Sequence, residues 1–593
     1  MRDLELGLVG NCAFGALVDT RAEVVWSCLP RFDSDPVFCS LLEPRGEGRG
    51  SFRVELAGQV GSTQRYERNT AILVTTLHDA DGGAVEVTDF APRFKQYGRV
   101  YRPAMLVRRI RPLQGRPRVT LRLRPAGDYG AVDPGITAGS NHVRYILPGL
   151  VLRLTTNVPV TAVLDETPFV LDHEVAMLLG PDEILVRPVE EAAREFQIET
   201  AAYWREWVRY LALPLEWQEA VTRAAITLKL CTFEDTGAVI AAVTTSIPEN
   251  AGSVRNWDYR HCWLRDSYFV VSALNHLGAT RTMEDYIRYV VNVGAGATRG
   301  RLKPMYRING MSDLDEREVT SLAGYRGIGP VRVGNAAHLQ EQNDVYGAVI
   351  LSAAQAFFDT RLDSPGDTAL FAQLETLGEA AVELHDQPDA GLWELRGNHR
   401  VHTFSSVMCW TACDRLARIA LHLHLTQRAD HWRAAADRIR EKILAAAWST
   451  KLGYFTASFG GESLDAALLL LAQLGIVKAD DPRFVATVEA IGRDLKRGDY
   501  VFRYVEADDF GTPHNAFTLC TFWYIDALVQ IGRRAEARAL FEHMLARRTA
   551  TGLLSEHIDP ATGELWGNFP QTYSMVGIIH SAMRLSEPWE AAF

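Results

Sequence analysis

The sequence of 593 residues lacks any apolar run that approaches the length of a membrane-spanning helix. Its N-terminus, Met1-Arg2-Asp3-Leu4-Glu5, lacks the basic region and apolar stretch that mark a secretory signal peptide. From these two absences we expect a cytoplasmic protein that has no membrane partner.

The chain also lacks blocks of basic residues. Its formal net charge is -11, and its Lys and Arg residues are scattered along the sequence. Because nucleic acid is bound through clustered positive charge, we expect no nucleic-acid partner. A neutral substrate suits this charge balance better.

Cysteine pairs with tight CxxC spacing are absent, which argues against zinc knuckles and against a disulfide framework. A glycine-rich phosphate-binding loop with its lysine is absent too. We therefore expect neither a metal nor a cofactor, and we interpret the cysteines as reduced core residues. These are Cys12, Cys28, Cys39, Cys231, Cys262, Cys409, Cys413 and Cys520.

The first part of the chain, up to about residue 188, has the two-residue periodicity of strands. Apolar residues alternate with polar ones at 52–56 and again at 119–123. The turn-forming segment 78–83 separates two further apolar runs, as a hairpin requires. A chain of this length is too long for one ordinary core, so we predict an antiparallel β-sandwich as one of two domains.

The remainder of the chain is helical in pattern. Residues 190–210 are rich in Glu, Ala and Arg, and Leu213-Pro214 then interrupts the helix, so we predict a linker over 189–213. From residue 214 onward the apolar period becomes 3.6 residues. Amphipathic blocks recur at 346–358, 404–425, 463–474, 515–532 and 571–586.

Helices separated by long loops over residues 214–593 predict an assembly of α/α hairpins, either a closed toroid or an open solenoid. We see no fixed repeat of the solenoid kind, which favours the closed form. The expected domains are thus 1–188, 189–213 and 214–593. Function should lie in the loops on one face of the helical domain.

Five loop segments contain most of the clustered Trp, Tyr, Arg and carboxylate residues. Aromatic rings beside acids and arginines suit a sugar, which offers apolar C–H faces and a ring of hydroxyls. The segments are 256–266, 334–346, 391–396, 502–515 and 555–573.

Two glutamates in these segments are candidates for acid–base chemistry. Glu394 follows Trp393 in a short turn, and an apolar neighbour can raise the pKa of a carboxyl until it holds a proton at neutral pH. Glu556 lies between Ser555 and His557 and can activate a water. From spacing alone, an ordinary capping or turn carboxylate is the more common role for each of them.

Arginines and an aspartate accompany them. Arg265 and Asp266 precede a strongly helical run, where they can form a structural salt bridge and cap or can grip a sugar. Arg503 can bind a substrate hydroxyl or a carboxylate of the core. The sequence leaves both pairs of alternatives open.

Taken together, these loops resemble glycoside hydrolase family 15, the glucoamylase family, which also contains bacterial trehalases and related α-glucosidases. The resemblance spans nearly the whole chain, and 11–34 is similar to the opening of the N-terminal β-domain in the bacterial branch. It implies an N-terminal antiparallel β-super-sandwich, a helical linker and a C-terminal (α/α)6 barrel. The most specific motifs are 256–266, Trp393-Glu394, Arg503-Tyr504 with 519–521, and Ser555-Glu556 with Asp559 and Gly563-Glu564.

The resemblance also implies roles for individual residues. Glu394 matches the catalytic acid of the family and Glu556 its catalytic base, with the carboxyls roughly 6.5 to 9.5 Å apart in an inverting enzyme. Arg265 and Asp266 match the pair that holds the non-reducing glucose. The further substrate-binding positions implied are Tyr259, Trp263, Trp393, Arg503 and Tyr573.

Two departures from the fungal pattern leave the preference beyond the first glucose open. Leu395 stands where fungal members carry a second acid, and His557 stands where they carry Gln. We expect an inverting, exo-acting α-glucoside hydrolase that releases β-glucose from short α-gluco-oligosaccharides, as glucoamylases do. The alternatives are a trehalase and, more remotely, an inverting disaccharide phosphorylase or a non-catalytic sugar-binding protein. The oligomeric state stays open.

Overall fold

The computed structural model describes residues 3–43, 48–297 and 300–592. Its N-terminal part is built from antiparallel strands with one short helix, α1 (Val160–Leu164). The strands are β1 (Leu6–Gly10), β2 (Gly15–Asp19), β3 (Glu23–Cys28), β4 (Pro36–Phe38), β5 (Ser51–Leu56), β6 (Gln59–Tyr66), β7 (Leu73–Asp79), β8 (Ala84–Phe90), β9 (Phe94–Gln96), β10 (Arg99–Tyr101), β11 (Leu106–Gln114), β12 (Arg118–Arg124), β13 (Gly135–Ala138), β14 (His142–Leu147), β15 (Leu150–Thr156), β16 (Phe169–Val170) and β17 (Val175–Gly180).

Fifteen of these strands form two large sheets that pack face to face, and β9 and β10 pair only with each other. One sheet has the order β1-β2-β3-β5-β12-β16, with β4 paired to β3, and the other has the order β13-β14-β15-β17-β11-β8-β7-β6. Apolar residues of both sheets, such as Phe52, Val54, Leu121, Val87 and Met177, form the core between them. The sandwich predicted from the period-two pattern is confirmed.

The register of β5 and β12 follows from the same alternation. Leu56 pairs with Val119, and Val54 pairs with Leu121. All four side chains are buried, because residues two apart on a strand point to the same face. The predicted hairpin is also present, since β7 and β8 pair across a turn in which Asp79 Oδ1 accepts hydrogen bonds from two backbone N–H groups.

A long helix, α2 (Val189–Arg209), follows the sandwich, as predicted for the linker. Its first half packs on the outer face of the second sheet, where Val189 and Ala193 meet Val107 and Leu178. Its later residue Trp204 belongs to the core of the helical domain. The helix therefore contacts both parts of the chain.

Twelve helices in the described part of the helical domain form two layers. They are α3 (Gln218–Leu230), α4 (Leu264–His276), α5 (Thr280–Ala295), α6 (Val345–Phe358), α7 (Thr368–Leu384), α8 (Thr403–His422), α9 (Thr426–Ala447), α10 (Leu471–Leu474), α11 (Pro482–Asp494), α12 (Thr518–Gln530), α13 (Arg534–Leu545) and α14 (Thr572–Leu585). The 3₁₀ helices are Ser40–Leu42, Ala336–Leu339, Ala466–Leu470 and Trp589–Ala592.

The inner layer is a closed ring. In chain order, α4 packs against α6 and α6 against α8. The short helix α10, with its preceding 3₁₀ turn, lies between α8 and α12. Helix α12 packs against α14, and α14 packs against α4, which closes the ring. Inner helices such as α6 are buried almost all round, whereas the outer helix α9 buries only one face. The closed form predicted from the lack of a repeat is confirmed.

Short strands fix the long loops at the ends of these helices, as five pairs and one three-stranded sheet. They are β18 (Thr232–Phe233), β19 (Ala238–Val239), β20 (Cys262–Trp263), β21 (Met305–Tyr306), β22 (Arg317–Val319), β23 (Val331–Val333), β24 (Trp448–Ser449), β25 (Tyr454–Phe455), β26 (Lys496–Arg497), β27 (Tyr500–Val501), β28 (Ala516–Phe517), β29 (His557–Ile558) and β30 (Leu565–Trp566). Several of them lie directly beside the candidate site residues of the sequence.

Besides the core between its own two sheets, the sandwich contributes residues to the hydrophobic core of the helical domain. Leu8, Trp26 and Phe32 of the sandwich belong to the same buried cluster as Val221 and Ile226 of the helical domain. All eight cysteines are buried. In the described ranges, none of the helices combines the length and the apolar character that a bilayer span needs. The domain limits at 188/189 and 213/214 stay a prediction.

Candidate active site

A pocket lies where the N-terminal ends of α4, α6, α8, α12 and α14 converge. It encloses about 820 Å³ of empty space, part of it open to solvent. Its lining comes mainly from the predicted loop segments, all on one face of the ring. The predicted site residues that line it are Tyr259, Trp263, Arg265, Asp266, Trp393, Glu394, Arg503 and Tyr573.

A tight turn before α8 presents Glu394 to the pocket. Gly391 and Glu394 both have left-handed backbone conformations, with φ of +66° and +62°. A Cβ atom at 391 would come within 2.8 Å of the His402 ring, so this turn requires glycine there. Glu394 is a non-glycine residue held in a sparsely populated conformation, which is common at functional sites.

The Glu394 carboxyl is enclosed on one side and exposed to the pocket on the other. Its Oε1 accepts a hydrogen bond of 2.5 Å from Trp263 Nε1 and lies 3.5 Å from Arg265 Nη2. Burial raises the pKa of Glu394, and the positive charge of Arg265 and the Trp263 hydrogen bond oppose that rise only in part. The side chain is still 22% exposed, which leaves an oxygen accessible to a ligand.

Glu556 lies deeper than the pocket wall and is only 1% exposed. Its Oε1 accepts a hydrogen bond of 2.6 Å from the hydroxyl of Tyr259, and its Oε2 lies 3.5 Å from His557 Nδ1. Gly567, at φ +77°, passes so close that a Cβ there would lie 2.7 Å from Oε2 of this glutamate. The carboxylate is therefore held firmly behind Tyr259.

Tyr259 links the two carboxyl groups. Burial, together with the negative charges of Glu556 and Glu394, raises the pKa of its hydroxyl well above the usual value. The hydroxyl therefore keeps its proton and donates it in the bond to Glu556. The Tyr259 ring also packs edge-to-face on Trp263, with 5.3 Å between ring centroids, and Trp263 in turn binds Glu394. The fold thus brings both glutamates to the same site.

Arg265 and Asp266 lie in the first turn of α4, as predicted. Arg265 Nη1 donates to Gln342 Oε1 at 2.9 Å and to Asp344 Oδ2 at 3.2 Å. Within the described residues, Oδ1 of Asp266 is buried without a hydrogen-bond partner, 3.6 Å from Arg265 Nε. The arrangement combines a structural ion pair, through Asp344, with a carboxylate that is left for a ligand.

Asp266 titrates far from its ordinary range. Its pKa is raised to about 7, chiefly by burial; the positive charge of Arg265 opposes the rise, and the carboxylates of Glu394, Asp344 and Glu556 add to it. A buried carboxylate of this kind needs hydrogen-bond donors to stabilise its charged form. Sugar hydroxyls can supply those donors.

Arg503 binds a carboxylate that the sequence motifs did not indicate. Its guanidinium donates to both oxygens of Glu249, at 3.2 and 3.0 Å, while still lining the pocket. Glu249 Oε2 also lies 3.8 Å from His557 Nε2 and 3.7 Å from Arg255 Nε. Although burial favours the neutral form, the positive charges of Arg503 and Arg255 and the neighbouring His557 lower the pKa of Glu249.

Two aromatic residues complete the inner wall. Trp393 donates from its indole N–H to Asp465 Oδ2 at 2.8 Å, which fixes the ring plane beside Glu394. Tyr573 packs edge-to-face on Phe269, and its buried hydroxyl has no hydrogen-bond partner within the described chain. Tyr573 lines the pocket, and its hydroxyl, which lies beside Arg265, can serve a ligand.

The mouth of the pocket is narrowed by two loops that are joined to each other. Asp509 Oδ2 accepts hydrogen bonds from the backbone N–H groups of Arg396 and Gly397, at 2.6 and 2.9 Å. The Arg396 guanidinium lies 4.5 Å from the centre of the Trp257 ring and 5.5 Å from that of Phe510. Sequence reasoning located these loops through their aromatic content but did not single out the residues.

Family models and known proteins match the sequence of this chain over nearly its whole length. The family model described as Glycosyl hydrolases family 15 matches residues 217–583, and a model described as Trehalase-like, N-terminal matches residues 4–149. The trehalase of Mycolicibacterium smegmatis is 33% identical and covers 99% of this chain and 92% of its own length. The trehalase of Thermoplasma volcanium is 30% identical and covers 98% of this chain and 93% of its own.

Among solved structures, a bacterial glucoamylase complexed with acarbose has the same fold. It superposes with a TM-score of 0.71 over 98% of this chain and 94% of that chain, at 14% sequence identity. Its likeness confirms the β-sandwich followed by an (α/α)6 barrel.

Proposed function

The chain belongs to glycosyl hydrolase family 15, and from that premise we propose that this glycoside hydrolase is a trehalase that cleaves α,α-trehalose with inversion. Its curated relatives at about one-third identity are trehalases, and their similarity extends over both domains. The N-terminal model that matches is likewise described as trehalase-like. The glucoamylase likeness rests on fold alone, so the glucoamylase-like preference expected first becomes the second candidate.

The observation that carries the proposal is the pairing of two unlike carboxyls, one that lines the pocket and one held behind its wall by Tyr259. Glu394 is exposed to the cavity and has a raised pKa, as a general acid requires. Glu556 lies deeper and accepts a hydrogen bond from Tyr259, a tyrosine that keeps its proton, so one of its oxygens is held in a fixed position. Different environments for two carboxyls are how one site supplies both an acid and a base.

In the proposed reaction, one glucose of trehalose occupies the inner end of the pocket. Asp266 and Arg265 hold its hydroxyls, while Trp393 and Tyr573 line the ring faces. This uses the orphaned oxygen of Asp266 and the free hydroxyl of Tyr573. The second glucose lies toward the mouth, which is bounded by Trp257, Arg396 and Phe510.

The chemistry then takes a single displacement. Glu394 donates its proton to the oxygen between the two sugars as the bond from that oxygen to the anomeric carbon breaks. Glu556 removes a proton from a water, whose oxygen forms the new bond on the opposite face of the ring. One glucose leaves as the α-anomer and the other is formed as the β-anomer.

Proton NMR of the earliest products tests the proposal. Trehalose hydrolysed with inversion gives α- and β-glucose in equal amounts before mutarotation, whereas retention gives only α-glucose. Maltose, isomaltose and soluble starch are run beside it, because all three present the same terminal glucose. Hydrolysis of maltose without hydrolysis of trehalose would establish the glucoamylase-like candidate instead.

The same assay separates the remoter alternatives. Turnover that requires inorganic phosphate and yields a sugar phosphate would make the protein a phosphorylase. Tight sugar binding without any turnover would make it a binding protein. The intact pair of Glu394 and Glu556 supports neither alternative.

A further inference from the structure

The loop that carries Tyr259 and Trp263 is anchored to the β-sandwich by Arg260, the residue that directly follows Tyr259. This arginine is 0% exposed. Its Nη1 donates to the backbone oxygen of Ser34 at 2.9 Å and lies 3.4 Å from Cys28 Sγ. Its Nη2 donates to the hydroxyl of Tyr129 at 2.9 Å. All three partners belong to the sandwich.

The remaining donors of Arg260 return to its own loop. Its Nε and Nη2 form a two-pronged pair with Asp258, at 2.9 and 2.8 Å. All five guanidinium N–H groups are thus used, which fixes the position and the plane of the group. Asp258 also accepts from the backbone N–H of Gly334, so a second pocket loop is tied to the same point.

Tyr129 is held as firmly as the arginine it contacts. Its side chain is buried, and its backbone oxygen accepts a hydrogen bond of 2.9 Å from Ser321 Oγ. The Arg317 guanidinium lies 5.4 Å from the centre of its ring. The hydroxyl therefore offers Arg260 a fixed acceptor rather than a mobile one.

The consequence reaches both carboxyls of the pocket. Tyr259, the residue before Arg260, donates to Glu556, and Trp263, three residues after it, donates to Glu394. Because the side chains of adjacent residues share one backbone, a shift of Arg260 displaces both donors. The sandwich is separated from the reacting atoms by only one loop.

We propose that the N-terminal β-sandwich is a positioning element of the active site, in which Tyr129 fixes Arg260 and thereby sets Tyr259 and Trp263 against the base and the acid. The proposal rests on the roles assigned above to Glu556 and Glu394. Tyr129 and Arg260 are positioning residues, since neither lines the pocket.

The test removes one hydroxyl and compares it with a matched hydroxyl elsewhere. Tyr129→Phe deletes one of the two acceptors of Arg260 Nη2, the one that the sandwich supplies, and leaves the bond to Asp258 in place. Tyr203→Phe is the control, because its hydroxyl accepts a hydrogen bond of 2.8 Å from another buried arginine of the sandwich, Arg93. That contact lies on the linker helix and does not touch the 256–266 loop.

We expect Tyr129→Phe to lower kcat on trehalose about tenfold, to leave KM within about twofold, and to displace both limbs of the pH–rate profile. Tyr203→Phe should keep kcat within about twofold of the wild type. Similar unfolding midpoints in the two variants would show that stability does not explain the difference. Equal kcat values and unchanged pH limbs in both variants would overturn the proposal.

A second readout does not depend on turnover. Protein labelled with 5-fluorotryptophan gives a ¹⁹F signal for Trp263, assigned through Trp263→Phe. We expect this signal to shift in Tyr129→Phe and to stay unchanged in Tyr203→Phe. If the wild type hydrolyses maltose and not trehalose, the kinetic comparison is made on maltose. If it hydrolyses neither sugar, the proposed function fails, while the fluorine signal still decides whether the sandwich positions the loop.

Discussion

The indole N–H of Trp263 donates a hydrogen bond of 2.5 Å to Oε1 of Glu394. This bond stabilises the ionised form of a carboxyl whose burial stabilises the neutral form. Together with the positive charge of Arg265, these two effects set the pH above which Glu394 loses its proton. Trp263 therefore acts on the proposed general acid as well as on the wall of the pocket.

Replacing this indole should shift the alkaline limb of activity. In Trp263→Phe the ionised form loses a donor, so the pKa of Glu394 rises further. A general acid works in its protonated form, and activity is lost as the pH rises through that pKa. We expect the alkaline limb of kcat/KM to move to higher pH, with kcat about tenfold lower because positioning is lost.

Trp432→Phe is the control for this shift. It breaks another indole–glutamate hydrogen bond, of 2.8 Å to Glu375, between α9 and α7. Its pH profile should match that of the wild type. An alkaline limb that moves to lower pH in Trp263→Phe would contradict the assigned role of the hydrogen bond.

A substrate with a good leaving group should separate the two glutamates. Glu394→Gln and Glu556→Gln should each lower kcat on trehalose about 10²- to 10⁴-fold, the usual contribution of one acid or base. α-Glucosyl fluoride needs no protonation of its leaving group. On it, Glu394→Gln should recover most of the activity and Glu556→Gln should not. Recovery by Glu556→Gln alone would reverse the two assignments.

The buried carboxyl of Asp266 should cost stability at neutral pH. Its pKa of about 7 in the folded protein exceeds the ordinary value of about 3.9, so the folded state binds more protons than the unfolded state between these pH values. Stability from this group is therefore lost as the pH rises through that window.

Asp266→Asn removes this titration. We expect it to be more stable than the wild type by about 2–4 kcal/mol at pH 8, with little difference near pH 4. Its kcat/KM should fall about 100-fold or more, because the acceptor for sugar hydroxyls is weakened. Chemical denaturation at both pH values measures the first effect. A variant that is less stable at pH 8 would contradict the burial argument.

Opening the joined loops at the mouth should weaken substrate binding. Asp509→Ala removes the acceptor shared by the backbone N–H groups of Arg396 and Gly397. We expect KM for trehalose to rise about five- to tenfold, with a smaller change in kcat, because the outer glucose loses a fixed wall. Asp480→Ala, an exposed aspartate in the loop after α10, should change neither constant. Equal KM values in the two variants would remove the mouth loops from substrate binding.

Local patterns were enough to predict most of the fold. The alternation of apolar and polar residues at 52–56 and 119–123 predicted the buried faces of β5 and β12, because residues two positions apart on a strand point to the same face of the sheet. The block at 463–474 became a 3₁₀ turn and a short α10, since Asp465 caps the turn at Ala467 and Gly475 ends the helix. The lack of a repeat only favoured ring closure and the family resemblance implied it, because closure depends on contacts between α14 and α4 that no local pattern encodes.

The site was predictable where a motif lies within one loop. Trp263, Arg265 and Asp266 share a segment, and their placement follows from the start of α4. Glu249 was missed because its partners Arg503 and His557 lie more than 250 residues away in sequence, and it has no local signature of its own. Asp344 was missed for the same reason, since only the folded ring brings it to Arg265.

The glycine at 567 has a consequence for attempts to change the enzyme. Any larger residue there would push directly on the carboxyl of Glu556, and its φ of +77° is unfavourable for other residues. In a mutant library that randomises the residues around Glu556, most variants with a residue other than glycine at position 567 would therefore have a displaced Glu556 carboxyl. Substitutions are better placed in the mouth loops that carry Arg396 and Asp509, because side chains there contact solvent and the backbone around Glu556 is not affected.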